Sequence, residues 1–309
     1  MKILVTGGAG FIGSHVADVY IELGHELVIV DNLATGRMEN VNPRAKFYKM
    51  NIHDKIIFDL FKDEKFDVVN HHAAQMDIRL SVADPVYDAT NNIIGTINLL
   101  QASVKNNVKK VIFISSGGAI YGEQEYFPAD EEHPTRPLSP YGITKLTGEK
   151  YIYFYHHVYN LSYVILRYAN IYGPRQNPKG EAGVVAIFSS KLLTGEKPII
   201  NGKGEQTRDY VFVGDVVDAN VKALAYMNND YFNIGTGIET TVNELFSRLN
   251  HITNAEAEEI HGPAQPGEQL RSILNFDKAK KLINWSPKIS LDEGLGKTVE
   301  YFENYHHKK

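Results

Sequence analysis

The first 31 residues restrict the fold of this chain more than any other stretch. Lys2 to Thr6 is a continuous apolar, β-branched run, the pattern of a strand buried on both faces. Glycines at 7, 8, 10 and 13 follow, and Ile12, Val16, Val19 and Leu23 recur at helical spacing as far as Gly24, where a helix C-cap belongs. A second run, Leu27 to Val30, ends on Asp31. Strand, glycine turn, helix and strand make a βαβ unit. Parallel strands joined in this way belong to sheets with helices over both faces.

The rhythm continues through Val68 to Asn70, Val111 to Ser115 and Val164 to Arg167, each continuous rather than alternating. It predicts an α/β fold, a doubly wound parallel sheet of Rossmann type with ligands gathered at the carboxyl ends of its strands. After Tyr168, loops containing Gly and Pro take over at Gly173-Pro174, Asn201 to Gly204 and Gly262-Pro263, separated by helical stretches at Val184 to Leu193 and Val242 to Leu249. The expected division is an NAD-binding domain at 1–168 and a smaller, loop-rich substrate-binding lobe at 169–309, with segments such as 208–218 returning to the sheet.

Composition narrows the partners. With 43% hydrophobic and 22% charged residues in 309, the chain reads as folded rather than disordered. A net charge of −5 supplies no basic stripe for nucleic acid, so an anionic ligand must be bound locally. The absence of cysteine removes disulfides, thiolate zinc sites and a cysteine nucleophile. No run approaches the roughly 18 apolar residues of a membrane span, and glycines break the N-terminal run where a signal peptide would be continuous. A cytoplasmic protein without membrane or nucleic-acid partners is expected. The histidine pairs at 71 and 72 and at 156 and 157 lack metal-ligand spacing, and no metal is expected.

Two groups of residues carry chemistry. Small residues let a turn approach a pyrophosphate, and a helix N-terminus adds amide donors and partial positive charge, which marks Gly7, Gly10, Phe11, Ile12 and Gly13 as a phosphate cradle. Asp31, about 20 residues on, can accept hydrogen bonds from both ribose hydroxyls of NAD. A 2′-phosphate would meet repulsion from Asp31, so NAD is favoured over NADP, although Arg37 stands six residues on and could soften it. Further along, Pro140 suits a helix start, and the spacing of Tyr141 and Lys145 puts phenol and ammonium on one face. A tyrosine at its reference pKa of about 10 is a poor base. A nearby lysine cation and a positive nicotinamide ring would favour the phenolate and bring Tyr141 into range as an acid/base for a sugar hydroxyl.

The segments TGGAGFIG (6–13), Asp31-Asn32-Leu33, SSGGAIYG (115–122), SPYGITK (139–145), LRYANIYGPRQ (166–176) and RDYVFVGD (208–215) together resemble the extended short-chain dehydrogenase/reductase family, and most closely its UDP-glucose 4-epimerase branch. The resemblance runs essentially from Met1 to Asn284-Trp285. It implies Tyr141 as the catalytic acid/base, with Lys145 as its electrostatic partner and a ligand of the nicotinamide ribose. Asp31 and Asn32 would hold the adenosine end, with Asn51 and Ile52 flanking adenine. Ala73, Ala74, Gln75, Asn92, Ser115 and Tyr168 would line the rest of the cofactor channel. Asn170, Val184, Asn201, Arg208 and Glu268 match positions that hold the nucleotide sugar. A homodimer is implied by analogy, paired through the helices around 92–104 and 141–155, where Leu99, Leu100, Tyr151, Tyr153 and Phe154 put apolar groups on more than one face.

Three departures qualify this resemblance. The family's adenine-contacting aspartate is Asn51. An arginine common before the uridine site is Gln265, so that one diphosphate cation is missing unless Arg271 replaces it. The hydroxyl residue that usually joins the tyrosine is Gly117, with Ser116 one residue earlier, so either Ser116 reaches the sugar or Tyr141 works without help. Where the family's dehydratases carry an Asp-Glu pair for eliminating water, this chain has Gly118 and Ala119. Epimerisation needs only one base and a retained NAD, and interconversion of UDP-glucose and UDP-galactose is the expected reaction. The alternatives are a UDP-uronic acid 4-epimerase or related enzyme and, in another class, an NAD-binding regulator without turnover. Ser272 aligns with the position whose bulk limits the group on the second carbon of the sugar. A serine there leaves space for an N-acetyl group, unless the residue merely begins a strand at Ile273-Leu274 and faces solvent.

Overall fold

In the computed structural model, which describes residues 1–178, 183–264 and 269–306, one seven-stranded parallel sheet organises the chain. Its strands are β1 (Lys2–Thr6), β2 (Glu26–Asp31), β3 (Lys46–Lys49), β4 (Val68–His71), β5 (Lys110–Ser116), β6 (Ser162–Tyr168) and β7 (Asp230–Ile234), in the order β7-β6-β5-β4-β1-β2-β3. The order reverses between β1 and β4, and a doubly wound sheet opens a crevice at that point, beyond the carboxyl ends of the strands.

Both faces of the sheet are dry, which is why the strands read as continuous apolar runs. Ile3 and Val5 pack with Val16 and Tyr20 of the Phe11–Glu22 helix and Val216 of the Val213–Ala225 helix. Leu4, between them, packs on the other face with Phe61, Leu99 and Ile152, from the helices Ile57–Glu64, Gly95–Lys105 and Pro140–Tyr159. Each such side chain contributes roughly 1.5–3 kcal/mol by burial. The two edge strands escape the sequence pattern: β3 is Lys-Phe-Tyr-Lys, with charged ends, and β7 lies beyond the region of regular alternation.

After β6 the 208–218 segment divides between two packings. Tyr210–Phe212 pairs with Asn170–Tyr172 in a separate two-stranded sheet. The return to the large sheet is made by the Val213–Ala225 helix, packed over it, and by β7 beside β6. Helices Val184–Leu193, Val242–Thr253 and Leu291–His306 enclose another core, built on Phe188, Leu245, Phe246 and Leu295. In a small sheet Arg208 lies opposite both Thr240 and Ser272. The strap that follows Ser272 is sewn to the 124–129 segment: Ile273 N donates to Gln124 Oε1 (3.1 Å), Ala129 N to Ile273 O (3.0 Å) and Asn275 N to Ala129 O (2.8 Å).

Among the described residues no helix is long and apolar enough to cross a membrane. Of the residues singled out for pairing, Leu99 and Leu100 are buried, whereas Tyr151, Tyr153 and Phe154 are exposed along with Val82 and Val86. Pairing of two copies would rest on that second group.

Candidate active site

The glycine loop is shaped by close approach. A methyl group at Gly7, whose φ is +69°, would come within 2.7 Å of Ala73 N, where β1 and β4 end side by side, and one at Gly13 would lie 2.3 Å from Gly7 O. Only glycine lets the turn fold so tightly, and the turn delivers the first-turn amides of Phe11, Ile12 and Gly13, which lack partners within the helix. Asp31 accepts hydrogen bonds from Ala9 N (3.0 Å) and Leu33 N (2.8 Å), one on each carboxylate oxygen. Each oxygen keeps a second acceptor position, the capacity needed for a ribose diol. Burial pushes this carboxyl up, against those two hydrogen bonds.

Asn32 Nδ2 donates to Asn51 Oδ1 (3.0 Å), and Asn51 Nδ2 donates to Asp54 Oδ2 (2.9 Å). The negative charge missing at Asn51 is therefore supplied one step away by Asp54, which the sequence reading did not pick out. Ile52 is buried in the core. Ala73, Ala74 and Gln75 follow β4 directly, and Gln75 N donates to Asn92 Oδ1 (2.8 Å). Asn92 stands in a π-helical turn, Thr90–Ile94, and its amide reaches Gln75 O, Asp88 Oδ1 and Thr144 Oγ1 at 2.9–3.1 Å. The tight glycine cradle, the carboxylate at the end of β2 and these amides suit a dinucleotide.

The Pro140–Tyr159 helix is capped by Ser139, whose Oγ accepts from Gly142 N (3.1 Å), with Pro140 in its first turn. One turn in, Lys145 Nζ donates to Ile114 O (2.9 Å) and lies 5.8 Å from the centre of the Tyr141 ring. Ser116 lies near enough to the Tyr141 phenol to favour its ionised form, so the residue next to the usual position is a neighbour of the tyrosine. Among the protein's own groups, burial dominates at the phenol. Burial pushes Tyr141 up to about 12, with Ser116 opposing and Asp88 adding to the rise. Burial also brings Lys145 down to about 8, against Asp88 and Glu149. The sequence shows that the two groups share a face but not how dry that face is; the cationic nicotinamide ring is the other half of the expected lowering.

Two residues assigned to the cofactor channel have side chains committed elsewhere. Ser115 Oγ donates to Glu149 Oε1 (2.5 Å), within a buried network in which Arg167 binds both Glu149 oxygens (3.0 and 2.7 Å) and Tyr121 (2.9 Å). The phenol of Tyr168 falls with Val164 and Leu166 on the buried face of β6 and accepts from Asn220 Nδ2 (2.6 Å). The charge of Arg167 inside an apolar strand was the available signal for the network.

On the substrate side, a methyl group at Gly118 would lie 3.8 Å from both Asn170 Oδ1 and Ser272 Oγ, so these residues border one space next to Ser116. Ser272 is 1% exposed and belongs to the Arg271–Ser272 strand, not to the solvent. At Gly117 a methyl would meet Leu274 Cδ1 at 2.6 Å, which accounts for the missing hydroxyl residue: the strap fills its place. Arg271, the candidate replacement for the missing diphosphate cation, has partners of its own. It makes a two-pronged pair with Glu239 (2.9 and 2.8 Å) and lies 3.7 Å over the Phe127 ring. Arg208 is partly buried beside Ser272, with Nη1 donating to Thr207 O (2.8 Å). Val184 begins its helix, and Asn201 is exposed at the end of the Ile199–Asn201 strand. Glu268 and Gln265 lie outside the described residues.

Residues 3–235 match the family described as the NAD dependent epimerase/dehydratase family. The fold superposes on the UDP-glucose 4-epimerase of Thermotoga maritima, solved with UDP-glucose, with a TM-score of 0.98 and 51% identity over 99% of this chain and 100% of that one. The UDP-glucose 4-epimerase of Thermus thermophilus in complex with NAD gives a TM-score of 0.93 and 40% identity over 98% and 99% of the two chains. A UDP-glucose 4-epimerase from Mycolicibacterium smegmatis is 43% identical, covering 98% of this chain and 99% of the relative. A UDP-N-acetylglucosamine 4-epimerase from Methanobrevibacter ruminantium has a TM-score of 0.93 at 35% identity, over 98% of each chain.

Proposed function

We propose that this chain, which belongs to the NAD dependent epimerase/dehydratase family, interconverts UDP-glucose and UDP-galactose by inverting C4, and acts likewise on UDP-GlcNAc and UDP-GalNAc. It is an NAD-dependent nucleotide-sugar 4-epimerase, as the relatives named above are. The observation that carries the reading is Tyr141 with Lys145 one helical turn on, 5.8 Å from its ring and anchored on Ile114 O of β5, whose carboxyl end is followed by Gly117, Gly118 and Ala119. One acid/base couple is present, with no carboxylate in the place where elimination of water needs a second one.

NAD would be held by the glycine loop, Asp31 and Lys145, and would supply reversible hydride acceptance at C4 of the sugar. The remaining work falls to the chain. Tyr141 removes the O4 proton and gives it back, while its neighbour Ser116 favours the ionised phenol. Lys145, anchored on Ile114 O, supports the phenolate and binds the nicotinamide ribose. Asp31 takes the adenosine ribose. Asn170 and Arg208 hold the nucleotide sugar, and Ser272 borders the space beside its second carbon.

A cofactor restored within each turnover gains nothing by leaving. The purified protein is therefore expected to turn over UDP-glucose with no NAD added and to release NAD when denatured. Protein that carries no NAD and consumes an external oxidant in proportion to product would instead be a net dehydrogenase.

A further inference from the structure

Arg37 has no part in the site described above, yet its main chain is fastened to it. The turn after β2 wraps the Asp31 carboxylate: Leu33 N donates to Oδ1, and a methyl group at Gly36 would lie 2.9 Å from that oxygen and 3.1 Å from Ala9 C. The next residue, Arg37, donates its N–H to Ala9 O (2.9 Å), and Asn40 Nδ2 donates to the same oxygen (3.1 Å). A cation on this corner is what acceptance of a 2′-phosphate calls for.

The guanidinium is held by other groups. Nη1 donates to Tyr305 Oη (2.9 Å) and Glu39 Oε1 (3.3 Å), Nη2 donates to Asn177 Oδ1 (3.1 Å), and the group lies 5.4 Å from the centre of the Tyr305 ring. Glu39 is local, but Tyr305 comes from the C-terminal helix and Asn177 from the segment entering the smaller lobe. Both are braced. Tyr305 stacks on Tyr301 (6.1 Å, 19°). The 174–177 segment is tied to the first helix by Arg175 to Asp18 (2.8 Å) and Ser14 (3.1 Å), and by His15 Nε2 to Pro174 O (2.9 Å). A planar guanidinium has a fixed set of donors, and turning them toward a phosphate breaks this arrangement.

We propose that Tyr305 and Asn177 set the choice of cofactor: they keep Arg37 from receiving a 2′-phosphate, so that Asp31 alone reads the ribose and NADP is refused. This rests on the assignment of Asp31 to the ribose hydroxyls made above.

The test purifies each protein from cells, which offer both NAD and NADP while it folds, denatures it and quantifies the dinucleotides released. The parent is expected to release almost only NAD. Tyr305→Phe, which keeps the ring, and Asn177→Ala should each raise the NADP share at least tenfold, and adding Arg37→Ala to Tyr305→Phe should return it to the parent level. If both single variants match the parent, or if the double variant takes up as much NADP as Tyr305→Phe, the latch is wrong. Asp31→Asn separates the two levels. Continued exclusion of NADP by that variant overturns the assignment of the ribose corner itself, whereas admission there beside exclusion in Tyr305→Phe overturns only the latch.

Discussion

Replacing Tyr141 with phenylalanine is expected to slow turnover of UDP-glucose by about 10²- to 10⁴-fold, the range over which a positioned acid–base group acts, while NAD content and fold stay as in the parent. The phenol is the group placed to exchange a proton with the sugar, and its ring would remain to fill the same space. Ser116→Ala should cost less, because Ser116 is a neighbour that favours the ionised phenol rather than the group that exchanges the proton. Steady-state rates on the three proteins decide the matter. Equal, severe losses in both variants would give Ser116 the proton-transfer role, and a Tyr141→Phe enzyme with near-parental turnover would end the mechanism.

Ser272→Tyr is expected to suppress UDP-GlcNAc turnover by about 10²-fold or more while leaving UDP-glucose within a few-fold of the parent, since steric exclusion exceeds the 1–3 kcal/mol of a lost apolar contact. Ser272 is buried, and its Oγ and Asn170 Oδ1 would both lie 3.8 Å from a methyl group at Gly118, so a ring is expected to crowd that space. Its hydroxyl can hydrogen-bond an amide, so that burying an N-acetyl group does not leave the amide unpaired. Rates with the two UDP-sugars, measured separately on parent and variant, give the contrast. A parent enzyme that uses UDP-glucose but ignores UDP-GlcNAc would overturn this role for Ser272 and leave the epimerase reading standing.

What could be read from the sequence follows from how local each signal is. β1, β2, β4, β5 and β6 are buried on both faces and announce themselves as apolar runs; β3 and β7 are edges and do not. The glycine loop and the Tyr141–Lys145 spacing are contained within single turns, and the structure bears out both shapes. The rest depends on contacts between distant segments. Nothing near Gly117 reveals that Leu274 fills its place, and nothing near Arg271 reveals Glu239 as its partner. Ser115 and Tyr168 stand in motif positions, but their hydroxyls serve buried networks with Glu149 and Asn220. Desolvation of the Tyr141–Lys145 pair is hidden for a related reason: spacing conveys the nearness of Lys145, whereas burial depends on everything packed around the pair.

The central claim is that the hydrogen removed from C4 is the one returned to it, on a cofactor that never leaves. UDP-glucose carrying deuterium at C4, incubated with the purified protein and no added nucleotide, tests this most directly. The UDP-galactose formed should keep the deuterium at C4, with none lost to water. Product that has lost the label to solvent, or that forms only when NAD is supplied in proportion to substrate, would contradict the account.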